Sequence, residues 1–264
     1  MEQESSQGIV RVHQIDGLLE VRLSDPRRLN AMSKELKQGL ADALVLARDR
    51  DVRALLITGE GRAFSAGGDI SALHEMKTAP AAHRRMLDAY QALTTPLLTL
   101  EKPSVAAING LAAGAGVALA LACDVRIAAR SARLVFAFSK VGLVPDFALS
   151  FMLPRLIGAG RAKDLAFLRG HISAEEAMSW GMISEVVEDD QCYPRALEVA
   201  SSLANGPTVA LALTKKLFDD SFNNELSKTL DLEAAFQSIA SQTSDHINAR
   251  DAFLAKQDVR FNGQ

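Results

Sequence analysis

Residues 63–69 read Ala-Phe-Ser-Ala-Gly-Gly-Asp, and residues 109–116 read Asn-Gly-Leu-Ala-Ala-Gly-Ala-Gly. An apolar run precedes each segment, Ala-Leu-Leu-Ile-Thr at 54–58 and Ser-Val-Ala-Ala-Ile at 104–108. Such runs predict buried strands, so each glycine-rich segment lies where a strand ends and a helix begins. The first N–H groups of a helix have no partner within it. Two such junctions aimed at one point predict an oxyanion hole, a pair of donors for a carbonyl oxygen that becomes negative during reaction.

The remaining pattern predicts an α/β core followed by a helical tail. Runs at 9–13 and 18–23 flank Asp16-Gly17, which predicts a hairpin, and Ser33 is a suitable N-cap for a helix to about residue 48. Strand and helix signals then alternate, which predicts parallel strands joined by crossovers. From residue 159 strand signals almost vanish, apart from 185–187. The helices predicted there cover residues 160–168, 174–180, 193–204, 208–218 and 226–242.

Length and composition limit the number of domains and the kinds of partner. With 264 residues, 48% of them hydrophobic, the chain can bury one large core, and we predict a core over 1–192 and a helical tail over 193–264. A net charge of −3 and a pI near 6.0 argue against nucleic acid or an acidic membrane surface as a partner. No apolar run is long enough for a signal peptide or a membrane span.

Cysteine and histidine usage predicts neither disulfides nor a metal site. Cys123 and Cys192 lack the spacing of a disulfide framework or a ligand set, which favours a cytoplasmic location. The five histidines show no paired spacing, so we expect no metal. Gly-x-x-x-Gly-x-Gly at 110–116 is not a dinucleotide-binding fingerprint.

Four more segments make the chain resemble one particular protein family. They are residues 23–32 (Leu-Ser-Asp-Pro-Arg-Arg-Leu-Asn-Ala-Met), 123–128 (Cys-Asp-Val-Arg-Ile-Ala), 172–177 (Ile-Ser-Ala-Glu-Glu-Ala) and 180–183 (Trp-Gly-Met-Ile). Together with the two junctions, in this order and spacing, they resemble the crotonase family, the enoyl-CoA hydratase/isomerase superfamily, over nearly the whole chain. The resemblance implies a ββα superhelix with a C-terminal helical tail, an acyl-CoA substrate, no further cofactor, and assembly as a homotrimer or homohexamer.

The resemblance also implies which residues form the site. The N–H groups of Ala66 and Ala115 would be the two oxyanion donors for the thioester. Two exposed regions would meet the CoA: the segment after Arg27, and the last helix, which would reach a CoA near a subunit boundary. The implied substrate-binding residues are Arg27, Leu29, Ala31, Ala66, Gly67, Gly68, Asp69, Ile70, Gly114, Phe138, Phe253 and Lys256. For Arg27 and Arg28 a solvated charge pair is the alternative, and for Asp69 a helix cap is favoured.

The expected chemistry rests on one carboxylate. Hydratases of the family place two glutamates beside the thioester, and at the matching positions this chain has Ala118 and Phe138. Asp146 follows Pro145, where isomerases of the family carry an acid, and is the candidate acid/base. Residues 137–146 (Ala-Phe-Ser-Lys-Val-Gly-Leu-Val-Pro-Asp) are similar to the ring 1,2-epoxyphenylacetyl-CoA isomerase type, although residues 148–149 are Ala-Leu where that type has Gly-Gly.

We therefore predict an isomerase that shifts the double bond of an enoyl-CoA thioester or isomerises a ring epoxide, with several alternatives open. In one alternative, Asp146 caps a helix and has no catalytic role. The chain is alternatively a hydratase with atypical groups, an acyl-CoA hydrolase or dehalogenase with Asp146 as nucleophile, or a non-catalytic acyl-CoA-binding subunit. Residues 146–151 are similar to the segment with the nucleophilic Asp of 4-chlorobenzoyl-CoA dehalogenases, but the histidine those enzymes use has no counterpart in 86–100. His74 lies just beyond the first junction, within reach of an acyl group.

Overall fold

The computed structural model of the chain describes residues 3–5, 8–69 and 78–264. Its strands are β1 (Gln3–Ser5), β2 (Val10–Ile15), β3 (Leu18–Leu23), β4 (Ala54–Gly59), β5 (Ala63–Ser65), β6 (Ser104–Ile108), β7 (Leu111–Ala113), β8 (Val125–Ala129), β9 (Arg133–Val135), β10 (His171–Ser173) and β11 (Glu185–Val187). Its helices are α1 (Lys34–Leu46), α2 (Ala79–Ala89), α3 (Thr95–Leu98), α4 (Ala115–Leu121), α5 (Leu149–Asp164), α6 (Ala174–Ser179), α7 (Cys192–Ala204), α8 (Thr208–Ser221), α9 (Leu226–Ala240) and α10 (Ser244–Ala255).

Seven of the described strands form the larger sheet, in the order β1-β2-β3-β4-β6-β8-β11. β1 to β3 pair antiparallel, and every pair from β3 to β11 is parallel. Asp16 and Gly17 both adopt positive φ and turn the β2–β3 hairpin, as predicted. β4 and β6 are buried at every position, which is typical of parallel strands covered on both faces.

The first long helix, α1, follows its predicted cap. The Ser33 hydroxyl accepts a hydrogen bond from the Leu36 N–H at 3.1 Å, and Leu36, Leu40 and Leu44 form the buried face. The helix ends at Leu46, two residues before the predicted end. Its buried face joins the core cluster that also contains the residues of β4 and β6.

A second sheet, in the order β10-β9-β7-β5, brings the two glycine-rich junctions side by side. β5 and β7 are parallel neighbours, so the chain leaves both strands at the same edge. A Cβ on Gly67 would lie 2.2 Å from the Ala113 carbonyl oxygen, and one on Gly116 would lie 2.4 Å from the Ser65 carbonyl oxygen. Only glycine fits at these two positions, because any side chain there would overlap the backbone of the other junction.

The C-terminal half departs from the expectation in three places. The helix predicted over 160–168 is the end of α5, broken at Gly158, followed by a π-helical turn, Leu165–Arg169. β10 was not expected, because a three-residue strand with only Ile172 buried carries no alternating pattern. α7 packs against β4 and β6, so the part of the chain with little buried surface starts at α8 rather than at residue 193.

None of the helices in the described residues combines the length and the apolar content needed to cross a lipid bilayer.

Candidate active site

At the first junction, the N–H group predicted to bind the substrate is already occupied. The Ala66 N–H donates to the Leu29 carbonyl oxygen at 2.8 Å, and the Gly67 N–H donates to the Ser65 hydroxyl at 3.1 Å. Ala66 as an oxyanion donor is therefore wrong for this structure. No described residue accepts a hydrogen bond from the next N–H, that of Gly68, and an ideal Cβ on Gly68 would meet no atom within 4 Å. The available donor of this junction is Gly68.

The second junction has the same arrangement one strand away. The Gly114 N–H donates to the Val135 carbonyl oxygen at 2.9 Å. Ala115 is the first residue of α4, and its N–H cannot be reached by a carbonyl of its own helix. Since an ideal Cβ on Gly67 would lie only 3.2 Å from the Ala115 nitrogen, the two junctions are in backbone contact there. The assignment of Ala115 as a donor stays a prediction that this geometry permits.

Asn30 anchors the first junction to the segment before α1. Its side-chain amide donates to the carbonyl oxygens of Glu60 and Ala63 at 3.0 and 2.8 Å, and its side-chain oxygen accepts from the Asp25 N–H at 2.9 Å. The Ser65 hydroxyl donates to the Asn30 backbone carbonyl at 2.8 Å. Asn30 is completely buried, and these bonds fix the junction to the segment that the resemblance assigns to CoA binding.

An apolar cavity of about 290 Å³, its open mouth included, lies beside the second junction. Ala115, Ala118, Leu119 and Ala122, spaced along one face of α4, form one wall. The other lining residues are Met32, Leu40, Leu93, Thr94, Leu97 and Phe147. The position that would carry a glutamate in hydratases is thus an alanine in the wall of an apolar cavity.

Asp146 immediately precedes Phe147 of this cavity, and its environment is unusual for a carboxylate. Burial raises the pKa of Asp146 to about 6, against a backbone hydrogen bond and the charge of Lys37, which both lower it. One carboxylate oxygen, Oδ1, is buried without a hydrogen-bond partner. A carboxyl group that titrates near neutral pH and keeps a free oxygen can both take and return a proton.

The backbone after Asp146 is strained. Phe147 and Ala148 both have positive φ, 49° and 61°, a backbone conformation that residues other than glycine rarely adopt. The Phe147 ring packs edge-on against Tyr90, with 5.6 Å between ring centroids. Burial, and next the nearby Asp146 carboxylate, raise the pKa of Tyr90. Ala148, the first of the two positions where the resemblance implies Gly-Gly, therefore holds a left-handed conformation at an energetic cost, whereas Leu149 begins α5.

Some of the predicted CoA-binding residues lie at the two junctions, and others do not. Leu29 lies against the first junction and Phe138 against the second, where its ring is 3.6 Å from an ideal Cβ on Gly114. Arg27 is exposed near the first junction. Arg28 pairs with Asp69 at 3.0 Å, so Asp69 contacts a cation of the predicted CoA segment.

The other predicted site residues lie either away from the two junctions or outside the residues that the structure describes. Phe253 is 82% exposed and Lys256 ends α10 with positive φ, and the structure gives neither a contact with the junctions. Ile70 and His74 lie outside the described residues.

Two glycine-rich segments that directly follow neighbouring parallel strands, on a framework of strands and helices, agree with the crotonase-like fold that the sequence predicts. A crystal structure of enoyl-CoA hydratase/isomerase from Cupriavidus metallidurans CH34 matches with a TM-score of 0.92 at 32% identity, covering 98% of both chains. The family model for enoyl-CoA hydratase/isomerase matches residues 13–264. The chain therefore belongs to the enoyl-CoA hydratase/isomerase family and is an acyl-CoA enzyme of that family.

Curated relatives with different reactions cover nearly the whole chain. The 1,2-epoxyphenylacetyl-CoA isomerase of Escherichia coli (strain K12) is 42% identical over 96% of this chain and 97% of its own length. The 4-chlorobenzoyl coenzyme A dehalogenase-2 of Arthrobacter sp is 33% identical over 95% of this chain and 92% of its own length. The family resemblance is confirmed, and the relatives leave the reaction to be argued from the site.

Two groups near the site were missed in the sequence. Tyr90 and Thr94 begin and end a π-helical turn between α2 and α3, where the helix register shifts by one residue. The available signal was a polar residue, Thr94, between the apolar Leu93 and Leu97 on one helix face. No sequence pattern predicts a π turn, so this shift of the helix register was not predictable.

Proposed function

We propose that this chain shifts the double bond of an enoyl-CoA, preferably one with a ring-derived acyl group, using Asp146 as its acid/base. The observation that carries the proposal is Asp146 itself, a carboxyl group with a pKa of about 6 and an unpartnered oxygen beside an apolar cavity. Ala118 and Phe138 occupy the positions of the hydratase glutamates, so Asp146 is the carboxyl group that remains for proton transfer.

The proposed reaction needs only one such group. The Asp146 carboxylate takes a proton from carbon 2 of a 3-enoyl thioester, and the electrons move toward the thioester oxygen to form a dienolate. The protonated Asp146 then returns the proton at carbon 4, which leaves the double bond conjugated with the thioester. No metal or redox cofactor takes part, and CoA enters as part of the substrate.

The N–H groups of Gly68 and Ala115 would hold the thioester oxygen during this reaction. Both are the first available donors after their strands, since the preceding N–H groups are occupied. Loss of one oxyanion donor in other enzymes costs about 3 kcal/mol of transition-state stabilisation. Two such donors would therefore supply a large part of the rate enhancement.

The first test follows ultraviolet absorbance as a 3-enoyl-CoA becomes the conjugated 2-enoyl-CoA. We expect Asp146→Asn to lower kcat by at least a hundredfold while acyl-CoA still binds, because the amide cannot accept the proton. Asp258→Asn, at an exposed position of the C-terminal segment, serves as the matched control. Near wild-type turnover by Asp146→Asn would refute the assigned role.

The alternative functions predict other results. If water adds to a 2-enoyl-CoA at a rate comparable with isomerisation, the chain is a hydratase. Tight binding without turnover of any enoyl, epoxy or haloaryl thioester would indicate a binding subunit.

A second candidate reaction uses the same carboxylate as a nucleophile. The free oxygen of Asp146 and the 33% identity to a 4-chlorobenzoyl-CoA dehalogenase favour testing it. Residues 86–100 contain no histidine, and the residue of this segment that packs against Phe147 is Tyr90, so this segment offers no imidazole to activate water for hydrolysis of an acyl-aspartate. Release of halide from 4-chlorobenzoyl-CoA would establish this reaction, and its absence would exclude it.

The assembly and cellular location are also proposals. Large apolar side chains stand exposed on α8 to α10, and the most exposed are Phe218, Phe222, Leu226, Phe253 and Leu254. Such a surface supports assembly into a homotrimer or homohexamer through the tail. Light scattering after gel filtration would give the mass directly, and a monomer would exclude this assembly. Both cysteines are buried free thiols, which supports a cytoplasmic location.

A further inference from the structure

The direction of the Asp146 carboxyl group depends on the backbone that carries it. Its Oδ1 is buried without a hydrogen-bond partner, and the hydrogen bond that lowers the pKa of this carboxyl comes from its own backbone. The Asp146 carbonyl oxygen accepts from the Leu149 N–H at 2.9 Å, which closes a turn over Phe147 and Ala148. A change in the conformation of this turn would therefore move the carboxyl group.

This turn needs support from the surrounding structure. Phe147 and Ala148 both have positive φ, so the turn holds two unfavourable backbone conformations in succession. Such conformations persist only where contacts from other parts of the chain hold them in place. Without these contacts the turn would relax toward ordinary backbone angles and displace Asp146, the residue directly before it.

Tyr90 provides such a contact from a distant part of the chain. Its ring packs edge-on against the Phe147 ring, with 5.6 Å between the ring centroids and 82° between the ring planes. Edge-on packing fixes the relative orientation of two rings better than contact between aliphatic side chains does. The Tyr90 hydroxyl is close enough to the Asp146 carboxylate and to the Phe147 backbone for both to shift its pKa. One side chain thus contacts the turn at the position next to Asp146.

Tyr90 itself has a well-fixed backbone. Its N–H donates to the carbonyl oxygens of Met86 and Leu87 in α2, and its carbonyl oxygen accepts the Thr95 N–H across the π-helical turn. Leu93, three residues further on, is buried in the wall of the cavity. Because the π-helical turn is anchored in the core in this way, Tyr90 can hold the Phe147 ring in one position.

We propose that Tyr90 is a positioning residue, whose ring holds Phe147 and thereby keeps the Asp146 carboxyl group in its buried place beside the cavity. Tyr90 takes no part in proton transfer. The proposal rests on the proposed function, because a role for this position in the reaction assumes that Asp146 is the acid/base. The contact between the two rings does not depend on that assumption.

The first measurement compares kcat and KM for a 3-enoyl-CoA in Tyr90→Phe and Tyr90→Leu. We expect Tyr90→Leu to lower kcat about tenfold or more and to change KM less than about threefold, since the proposed donors at Gly68 and Ala115 remain. Tyr90→Phe keeps the ring and should retain kcat within about threefold of wild type. Tyr193→Leu removes the other half-buried tyrosine, on α7, and serves as the matched control.

The second measurement uses urea unfolding at pH 7.5 and needs no substrate. Asp146→Asn should raise the free energy of unfolding, because burial raises the pKa of the Asp146 carboxyl. In a Tyr90→Leu background this increase should fall to about half or less, since a displaced carboxyl group is better solvated. It should stay unchanged in Tyr90→Phe and Tyr193→Leu backgrounds. Lys37, whose charge lowers the pKa of Asp146, is present in every variant, and Tyr90 is neutral at this pH because its pKa is raised.

Three results would overturn the proposal. One is an unchanged effect of Asp146→Asn on stability in the Tyr90→Leu background, whatever the activity. Another is an equal loss of kcat in Tyr90→Leu and Tyr193→Leu, and the third is an equal loss in Tyr90→Leu and Tyr90→Phe. If Tyr90→Leu does not fold, Tyr90→Met takes its place. If wild type does not isomerise a 3-enoyl-CoA, the proposed function fails, and the urea comparison still decides whether Tyr90 positions the Asp146 carboxyl group.

Discussion

Replacing Asp146 with asparagine should stabilise the fold at neutral pH while it removes activity. Burial raises the pKa of Asp146 from 3.8 to about 6, so the folded protein holds its proton more tightly than the unfolded chain does. A difference of about two pKa units corresponds to about 3 kcal/mol at most. Because the side chain is only half-buried, solvent screening reduces this to about 1–2 kcal/mol.

The sign of the effect depends on pH. The protonated form contributes its full stability below about pH 4, and this contribution is lost as the pH rises through about 6. Asparagine is neutral at every pH and does not undergo this loss. We therefore expect Asp146→Asn to have a free energy of unfolding about 1–2 kcal/mol above wild type at pH 7.5, and a much smaller advantage at pH 4.5.

Urea unfolding at both pH values and one fixed protein concentration measures this difference, because an oligomer's stability depends on concentration. Asp258→Asn, at an exposed position, controls for the loss of one charge. An advantage of Asp146→Asn that is equal at the two pH values, or larger at pH 4.5, would refute the assignment of a raised pKa to the buried Asp146 carboxyl.

Three further predictions concern the same site. The kcat/KM of wild type for a 3-enoyl-CoA should rise about tenfold per pH unit below pH 6 and level off above it, since Asp146 must be ionised to act as a base; a profile that falls over this range would contradict that role. Ala115→Pro, which suits a first helical residue but lacks the N–H, should lower kcat by about 10²–10³, whereas Ala115→Gly should stay within severalfold of wild type; equal kcat in both variants would refute the donor role. Ala148→Gly should raise the free energy of unfolding by about 1 kcal/mol because it relieves a positive φ, while Ala235→Gly on exposed α9 should lower it by a similar amount in the same urea assay; a loss of stability in Ala148→Gly would show that the turn is not strained.

Much of the framework could be predicted because local signals and burial agree. The hairpin at Asp16-Gly17, the α1 cap at Ser33 and the strands before both junctions follow from turn chemistry, capping and apolar runs. The pairing of β5 with β7 can be predicted only from the family resemblance, because no local signal in either three-residue strand identifies the strand beside it.

The atoms of the site were harder to predict than its location. The donor was predicted at Ala66, but which N–H is free depends on the Leu29 carbonyl and the Ser65 hydroxyl, which reach Ala66 and Gly67 through tertiary packing. The positive φ of Phe147 and Ala148 was likewise hidden, because residues other than glycine give no sequence signal for that conformation.

The parallel pairing of β5 and β7 has a consequence for how the reaction of such a protein changes over evolutionary time. The proposed donors, at Gly68 and Ala115, are main-chain atoms just after two neighbouring strands, so substitutions of Gly68 or Ala115 themselves, other than to proline, keep both N–H groups. Side chains around the cavity, such as that of Ala118, can vary without removing the donors of the proposed oxyanion hole. One substitution that introduces or deletes an acid there can therefore redirect a stabilised intermediate to a different product, and new activities arise within a few mutational steps of the old one.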